Sequence, residues 1–112
     1  MTITWDVYLS TAAESDFSGI IRWTAENFGA GQAAIYAEMI ASAMATLADG
    51  PDVLGAKLRN DLGAGIGVLH VGRSGHKGRH IMAFRVGPSK TIEIIRILHD
   101  SMDLPRHLEM PH

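Results

Sequence analysis

Apolar and polar residues alternate from Ile3 to Leu9, with Ile3, Trp5, Val7 and Leu9 on one side, the period of a half-buried strand. The period then changes. Ala13, Phe17, Ile20, Ile21, Thr24 and Phe28 follow at spacings of 4, 3, 1, 3 and 4, which places one apolar stripe on a helix that Gly29 ends. Thr11 and Glu14 have capping-box spacing: Thr11 would accept from the Glu14 N–H and the Glu14 carboxylate would return the bond. Asp16 suits the positive helix end. A second helix is predicted from Gly31 or Gln32, with Ala33, Tyr36, Ile40, Ala43 and Leu47 as its seam and Gly50-Pro51 as its stop. So short a link makes the two helices an antiparallel hairpin, and Ala33, Ala37 and Ala43 allow close approach.

Val53 to Gly65 reads as a glycine-containing connection. Three strands are then predicted, at 66–73, 79–86 and 91–98, joined by Ser74-Gly75-His76-Lys77-Gly78 and Gly87-Pro88-Ser89-Lys90. Consecutive strands joined by such turns pair as hairpins. The fold class is therefore α+β in the order β-α-α-β-β-β, an antiparallel sheet packed on one side against an N-terminal helical hairpin. The 112 residues fit a single domain spanning 1–112. The tail from Asp100, with Pro105 and Pro111, is predicted to form a short turn and an extended end.

Composition adds limits. Cysteine is absent, which excludes disulfides and thiolate metal sites. No apolar run approaches the roughly 20 residues that cross a bilayer, and Met1 to Leu9 lacks a signal-peptide pattern, so a cytoplasmic protein without membrane partners is expected. Charge is unevenly spread. Residues 1–56 carry seven acids and one base, a balance of −6, whereas residues 57–112 carry nine bases and five acids, a balance of +4, and all six histidines. That asymmetry points to a basic surface for an acidic partner or nucleic acid, or to charges decorating two faces.

Most catalytic patterns are missing. Gly63-Ala64-Gly65-Ile66-Gly67 lacks G-x-G-x-x-G spacing and enters a strand rather than a helix, so it does not cradle phosphate. His76 and His80 are four apart, but across a turn and without an acidic third ligand, so no metal site and no cofactor is expected. No serine lies in a nucleophile context. Arg85 and Arg96 interrupt apolar strands; each needs an anionic or carbonyl partner, either internal (Arg85 with Glu93 or Asp103) or on a ligand. Alternation places Arg96 with Ile92, Ile94 and Leu98, and His99 with Ile95 and Ile97. Ile35 and Met39 lie off the seam of the second helix, where they cover the sheet or form a groove for a partner helix.

Several segments, in order, resemble ParE-like toxins of the ParE/RelE superfamily. They are Leu9 to Asp16 with Ile20 and Trp23 to Gly29; Gln32-Ala33 with Tyr36; Arg79 to Val86; and Thr91 to His99 followed by Met102-Asp103-Leu104-Pro105-Arg106-His107-Leu108. The resemblance implies a RelE/ParE-like fold and the toxin of a type II toxin–antitoxin pair. It implies inhibition of DNA gyrase and replication, with no catalytic residue of its own and neutralisation by a cognate antitoxin in a hetero-oligomeric complex. That antitoxin is expected to be a small DNA-binding protein whose wrapping C-terminal segment docks near Ile35 and Met39 and reaches toward Arg85 and Arg96. The alternative is a RelE-like, ribosome-dependent mRNA interferase in which Arg85, Arg96 and His99 position phosphate and move protons. A third is an inactive member that only binds antitoxin.

Overall fold

A computed structural model describes residues 4–72, 79–102 and 104–108. Along the chain run β1 (Asp6–Leu9), α1 (Thr11–Phe28), α2 (Ala30–Thr46), a 3-10 turn at Leu47–Asp49, β2 (Ala56–Leu58), β3 (Ile66–His70), β4 (His80–Gly87), β5 (Thr91–His99) and α3 (Leu104–His107). The strands form one sheet in the order β1-β5-β4-β3-β2. This is the predicted α+β arrangement with two additions. Lys57 and its neighbours, read as connection, form a short edge strand antiparallel to β3. β1 pairs with β5 in parallel, so the sheet is mixed. No tight turn ties β1 to its neighbour, and the hairpin constraint that makes the other pairs antiparallel does not act on it.

Hairpin formation rests on Gly29. It ends α1 and starts α2 at φ 95°, a conformation that side chains with a Cβ resist. Its N–H donates to the Ala25 carbonyl, and its own carbonyl accepts from Ala33 N–H. One residue thus reverses the chain. The N-terminal cap of α1 differs from expectation: Ser10, not Thr11, accepts from a helix N–H, that of Ala13 at 3.0 Å. Ser10 also reaches a neighbouring strand, and this second bond selects it over Thr11.

The hairpin buries Ala13, Ile40 and Ala43, with Leu47 from the turn that follows, against Leu69, Met82, Phe84, Ile92, Ile94 and Ile97 of the sheet. Each large side chain taken fully from water in this layer stabilises the fold by about 1.5–3 kcal/mol. The other sheet face is also covered. Ile66, Ala83, Ile95 and Leu98 pack there with Leu108, flanked by Leu62 and Leu104, so α3 and the residue after it close a second small core, in place of the simple turn expected there. Ile3 of the expected first strand, Arg73, the residues 74–78 expected to turn, Asp103 and 109–112 lie outside the described residues.

Strand β5 departs from simple alternation. Phe84 pairs with Ile94 and Ala83 with Arg96, leaving Ile95 as an extra residue. Ile94 therefore joins the hairpin-side core and Ile95 the far core, and after the bulge Ile97 returns to the hairpin side. The predicted grouping of Arg96 with Ile92 and Ile94 fails for this reason, whereas Ile97 and His99 stay in step.

Gly67 on β3 lies opposite Phe84, whose ring occupies the space of the missing side chain: a Cβ there would stand 2.4 Å from the ring. Gly67→Ala is expected to lower stability by about 1–3 kcal/mol through overpacking, seen as a reduced urea midpoint at unchanged m-value.

Candidate functional site

β1 accompanies β5 only as far as the pair Leu9↔Ile94, yet β5 continues to His99. Beyond that point the edge of β5 has no strand beside it, and α1 takes the place of one. Ser10 N–H donates to the Ile94 carbonyl at 2.9 Å and Ser10 Oγ to the Ile95 carbonyl at 2.9 Å. Asp16, nearly two turns further along α1, accepts from Ile97 N–H at 2.9 Å and from Arg96 at 2.7 Å (Nε) and 3.0 Å (a terminal nitrogen). The carboxylate thus replaces a missing backbone acceptor and neutralises a half-buried guanidinium together. Hydrogen bonding to Asp16 raises the Arg96 pKa above its ordinary value, against the opposing effect of burial.

Because α1 is pinned at this end, the hairpin stands over the end of the sheet and encloses a groove of about 1240 Å³. Its α1 wall is Asp16, Gly19, Ile20, Trp23 and Phe28, and Gln32 and Tyr36 of α2 continue it. The opposite wall is Arg79 and His80 at the start of β4, with His99, Ser101 and Met102 at the end of β5. Trp23, Phe28 and Met102 are exposed large apolar side chains, and Trp23 and Phe28 meet edge to face with centroids 5.7 Å apart.

Polar groups collect at one end. His80 lies opposite His99 in the sheet register, and their rings meet edge to face at 5.4 Å. Tyr36 crosses from the hairpin to His80, its hydroxyl 2.6 Å from Nδ1. Burial raises the Tyr36 pKa, outweighing the pull of backbone hydrogen bonds at Arg79 and His80. Burial lowers the pKa of His80, and the nearby His99 adds to that. Asp100 is shared by Arg79 Nε at 3.2 Å and His70 Nε2 at 3.4 Å. Burial works against ionisation of Asp100, but its bonds to His70 and Arg79, with the Arg79 and His99 charges, bring its pKa below the usual value. His99 Nδ1 lies 2.7 Å from Ser101 Oγ, 3.2 Å from the Ser101 N–H and 3.5 Å from the Asp100 carboxylate.

The residues singled out in the sequence are dispersed. His99 is in the groove. Arg96 is at its edge, held by Asp16. Arg85 alternates with Ala83 of the far core and pairs with Ile66 and Glu93, so it belongs to the face away from the hairpin; among the described residues it makes no ion pair. Ile35 is exposed, whereas Met39 packs against the main core. Arg85, Arg96 and His99 therefore do not converge. Tyr36, His80 and Arg79 line the groove with His99, and His80 meets its ring directly. In the sequence Tyr36 belongs to an apolar seam and His80 pairs by spacing with His76, a residue outside the described ones. Forty-four positions separate the two partners, and no local pattern joins them. Among the described residues no group of three or more histidines or acids is arranged to hold a metal ion, and no helix is long and apolar enough to cross a membrane.

Comparison with known proteins places this geometry. The sequence profile of the family described as "ParE toxin of type II toxin-antitoxin system, parDE" matches residues 7–104. Toxin ParE1 of Caulobacter vibrioides is 32% identical over 100 residues, covering 89% of this chain and 94% of that protein. Among solved structures, the chromosomal ParDE system of P. aeruginosa superposes with a TM-score of 0.69 at 20% identity, over 85% of this chain and 95% of the other. The RelBE2 toxin–antitoxin complex of Mycobacterium tuberculosis follows with a TM-score of 0.54 at 21% identity, over 88% and 94% of the two chains. At those identities the two structures speak for the fold.

Two outcomes follow from the geometry. Asp16→Ala removes the acceptor of both Arg96 and Ile97 N–H, with an expected cost of about 2–3 kcal/mol in urea unfolding. That is below the range for fully buried pairs because both side chains keep some water contact. Because the folded pKa of His80 is lowered, its contribution to stability is complete above the unfolded value and declines as pH falls through that value toward the folded one. The unfolding midpoint should drop as pH falls below about 6.5, the ordinary histidine value, and His80→Gln should flatten that slope.

Proposed function

The chain belongs to the ParE toxin family of type II toxin–antitoxin systems, and from that membership we propose that it poisons DNA gyrase in the cytoplasm, blocks replication, and is held inactive by a cognate antitoxin. The match to Toxin ParE1 over nearly the full length of both chains carries this reading. The antitoxin partner is supported by the family's own description and by the RelBE2 relative, which was solved as a toxin–antitoxin complex. The placement of the arginines supports action by binding. A nuclease built on Arg85, Arg96 and His99 needs all three about one phosphate, but Arg85 belongs to the far face and Arg96 is engaged by Asp16.

One observation favours the second reading, an mRNA interferase. His80 and His99 face each other with Tyr36 and Arg79 beside them, groups able to move protons and bind a phosphodiester. In that case His99 keeps the assigned catalytic role, and Arg79 and His80 replace Arg85 and Arg96.

The purified toxin incubated with gyrase and plasmid is expected to inhibit supercoiling and to accumulate linear, gyrase-cleaved DNA, and added antitoxin should prevent both. His99→Gln should leave growth arrest intact under this reading. Uninhibited gyrase, together with ribosome-dependent mRNA cuts that His99→Gln reduces by about 10²–10⁴-fold, would replace it with the interferase reading.

A further inference from the structure

The hairpin is tied to the sheet unevenly. At its base Ser10 and Asp16 hold the first turns of α1 to β5, and Ala13, Ile40, Ala43 and Leu47 are buried against the sheet. Toward the tip these ties run out, and Trp23, Phe28 and Ile35 are exposed. Tyr36 is the outermost residue of α2 that the described residues show bonded to the sheet, through its hydroxyl and His80 Nδ1. Beyond it lie about two turns of α2, then Gly29 and the end of α1. One hydrogen bond thus holds the outer part of the arm.

That bond is sensitive to a proton. Backbone hydrogen bonds at Arg79 and His80 favour electron density on the Tyr36 oxygen, while burial keeps its own hydrogen in place. A hydroxyl so placed donates, and a neutral His80 accepts at Nδ1. Protonation puts an N–H on Nδ1 and turns the ring from acceptor into donor. The Tyr36 oxygen then faces ring and backbone donors together, and its hydrogen loses its acceptor. The new charge also stands against the His99 ring, 5.4 Å away between centroids.

We propose that Tyr36 and His80 form a proton-released latch, in which the hydroxyl holds the hairpin tip to the neutral ring and protonation of His80 frees it. The base stays pinned, because the Ser10 bonds and the apolar contacts there contain no titratable group. The tip therefore swings about the base and the groove opens. The groups around His80 are Asp16 of α1, Tyr36 of α2, His70 of β3, Arg79 just before β4, and His99 and Asp100 at the end of β5. Burial, His99 and His70 oppose its protonation, Asp100 and Asp16 favour it, and the balance falls below the ordinary histidine value. A further carboxylate would move that balance point and leave the competition at the Tyr36 oxygen unchanged. A released ring takes up a proton more readily than a latched one, so opening and proton uptake are linked. The ratio of open to closed molecules rises by up to about tenfold per pH unit below about 6.5, until the latched ring is itself protonated.

The chain has no cysteine, so spin labels attach only where cysteines are introduced. Gly31→Cys with Leu58→Cys reports the distance from hairpin tip to sheet edge, and Thr11→Cys with Leu58→Cys reports the base; all three positions are exposed. Distances are measured by double electron–electron resonance on the full chain, from about pH 8 down to about pH 5. The labelled wild type is expected to gain a second, longer tip distance as pH falls, at constant base distance. Tyr36→Phe, which lacks the hydroxyl, should show the open component at every pH. His80→Asn, whose amide oxygen can accept in place of Nδ1 but takes up no proton, should stay closed throughout. Ring nitrogen chemical shifts should report an unprotonated Nδ1 in the closed wild type. The latch is overturned by a tip distance indifferent to pH, by a Tyr36→Phe chain that stays closed, or by His80→Asn opening like the wild type. It is equally overturned if tip and base distances lengthen together, which is unfolding.

Discussion

The free edge of β5 is the constraint on which the rest of the molecule depends. β5 outruns its parallel neighbour after Ile94, and backbone groups at such an edge must find partners or remain in water. Ser10 and Asp16 supply those partners from the first turns of α1. The start of the helix is thereby fixed in position and direction relative to the last strand. Everything α1 carries, from Gly19 to Phe28, is then placed over the sheet end instead of along its flank. The groove is a consequence of how an unfinished strand edge is satisfied.

The bulge at Ile95 belongs to the same solution. An uninterrupted β5 would place Ile95 and Ile97 on one face and leave one of two cores without a residue. The extra position lets consecutive isoleucines, Ile94 and Ile95, serve opposite faces, and it restores His99 to the hairpin side opposite His80. The histidine pair and the double core therefore share one backbone irregularity.

This explains what could be read in advance. Periodicity identified both helices, Gly29 as their junction and the three long strands, because each of those rests on contacts repeated along one element. It missed β2, whose three residues are too few to show a period among glycines. It missed the parallel pairing of β1, which depends on a partner more than eighty residues away. It chose Thr11 for the cap because local spacing cannot see that Ser10 also meets the Ile95 carbonyl. Arg96 was recognised as a residue needing an anion, and its partner proved internal. Asp16 of the acidic half pairs with Arg96 of the basic half, so part of the charge asymmetry is used to hold the two halves together. His99 was recognised as well, but Tyr36 and His80 join it only through tertiary contact between hairpin and sheet.

The two arginine ion pairs beside the groove differ in what they can do. Asp16 with Arg96 is partly shielded, makes three hydrogen bonds at the carboxylate and closes a backbone edge, so altering it disturbs the fold itself. Asp100 with Arg79 is more open, holds only one nitrogen of the guanidinium and is shared with His70, so it leaves cationic capacity at the surface. The first pair builds the groove and the second faces into it. A partner that competes for Arg79 meets a weak internal rival, whereas one that competed for Arg96 would have to unseat α1 from β5. Loss of the Arg79 pair would therefore leave the scaffold intact, whereas loss of the Arg96 pair would not.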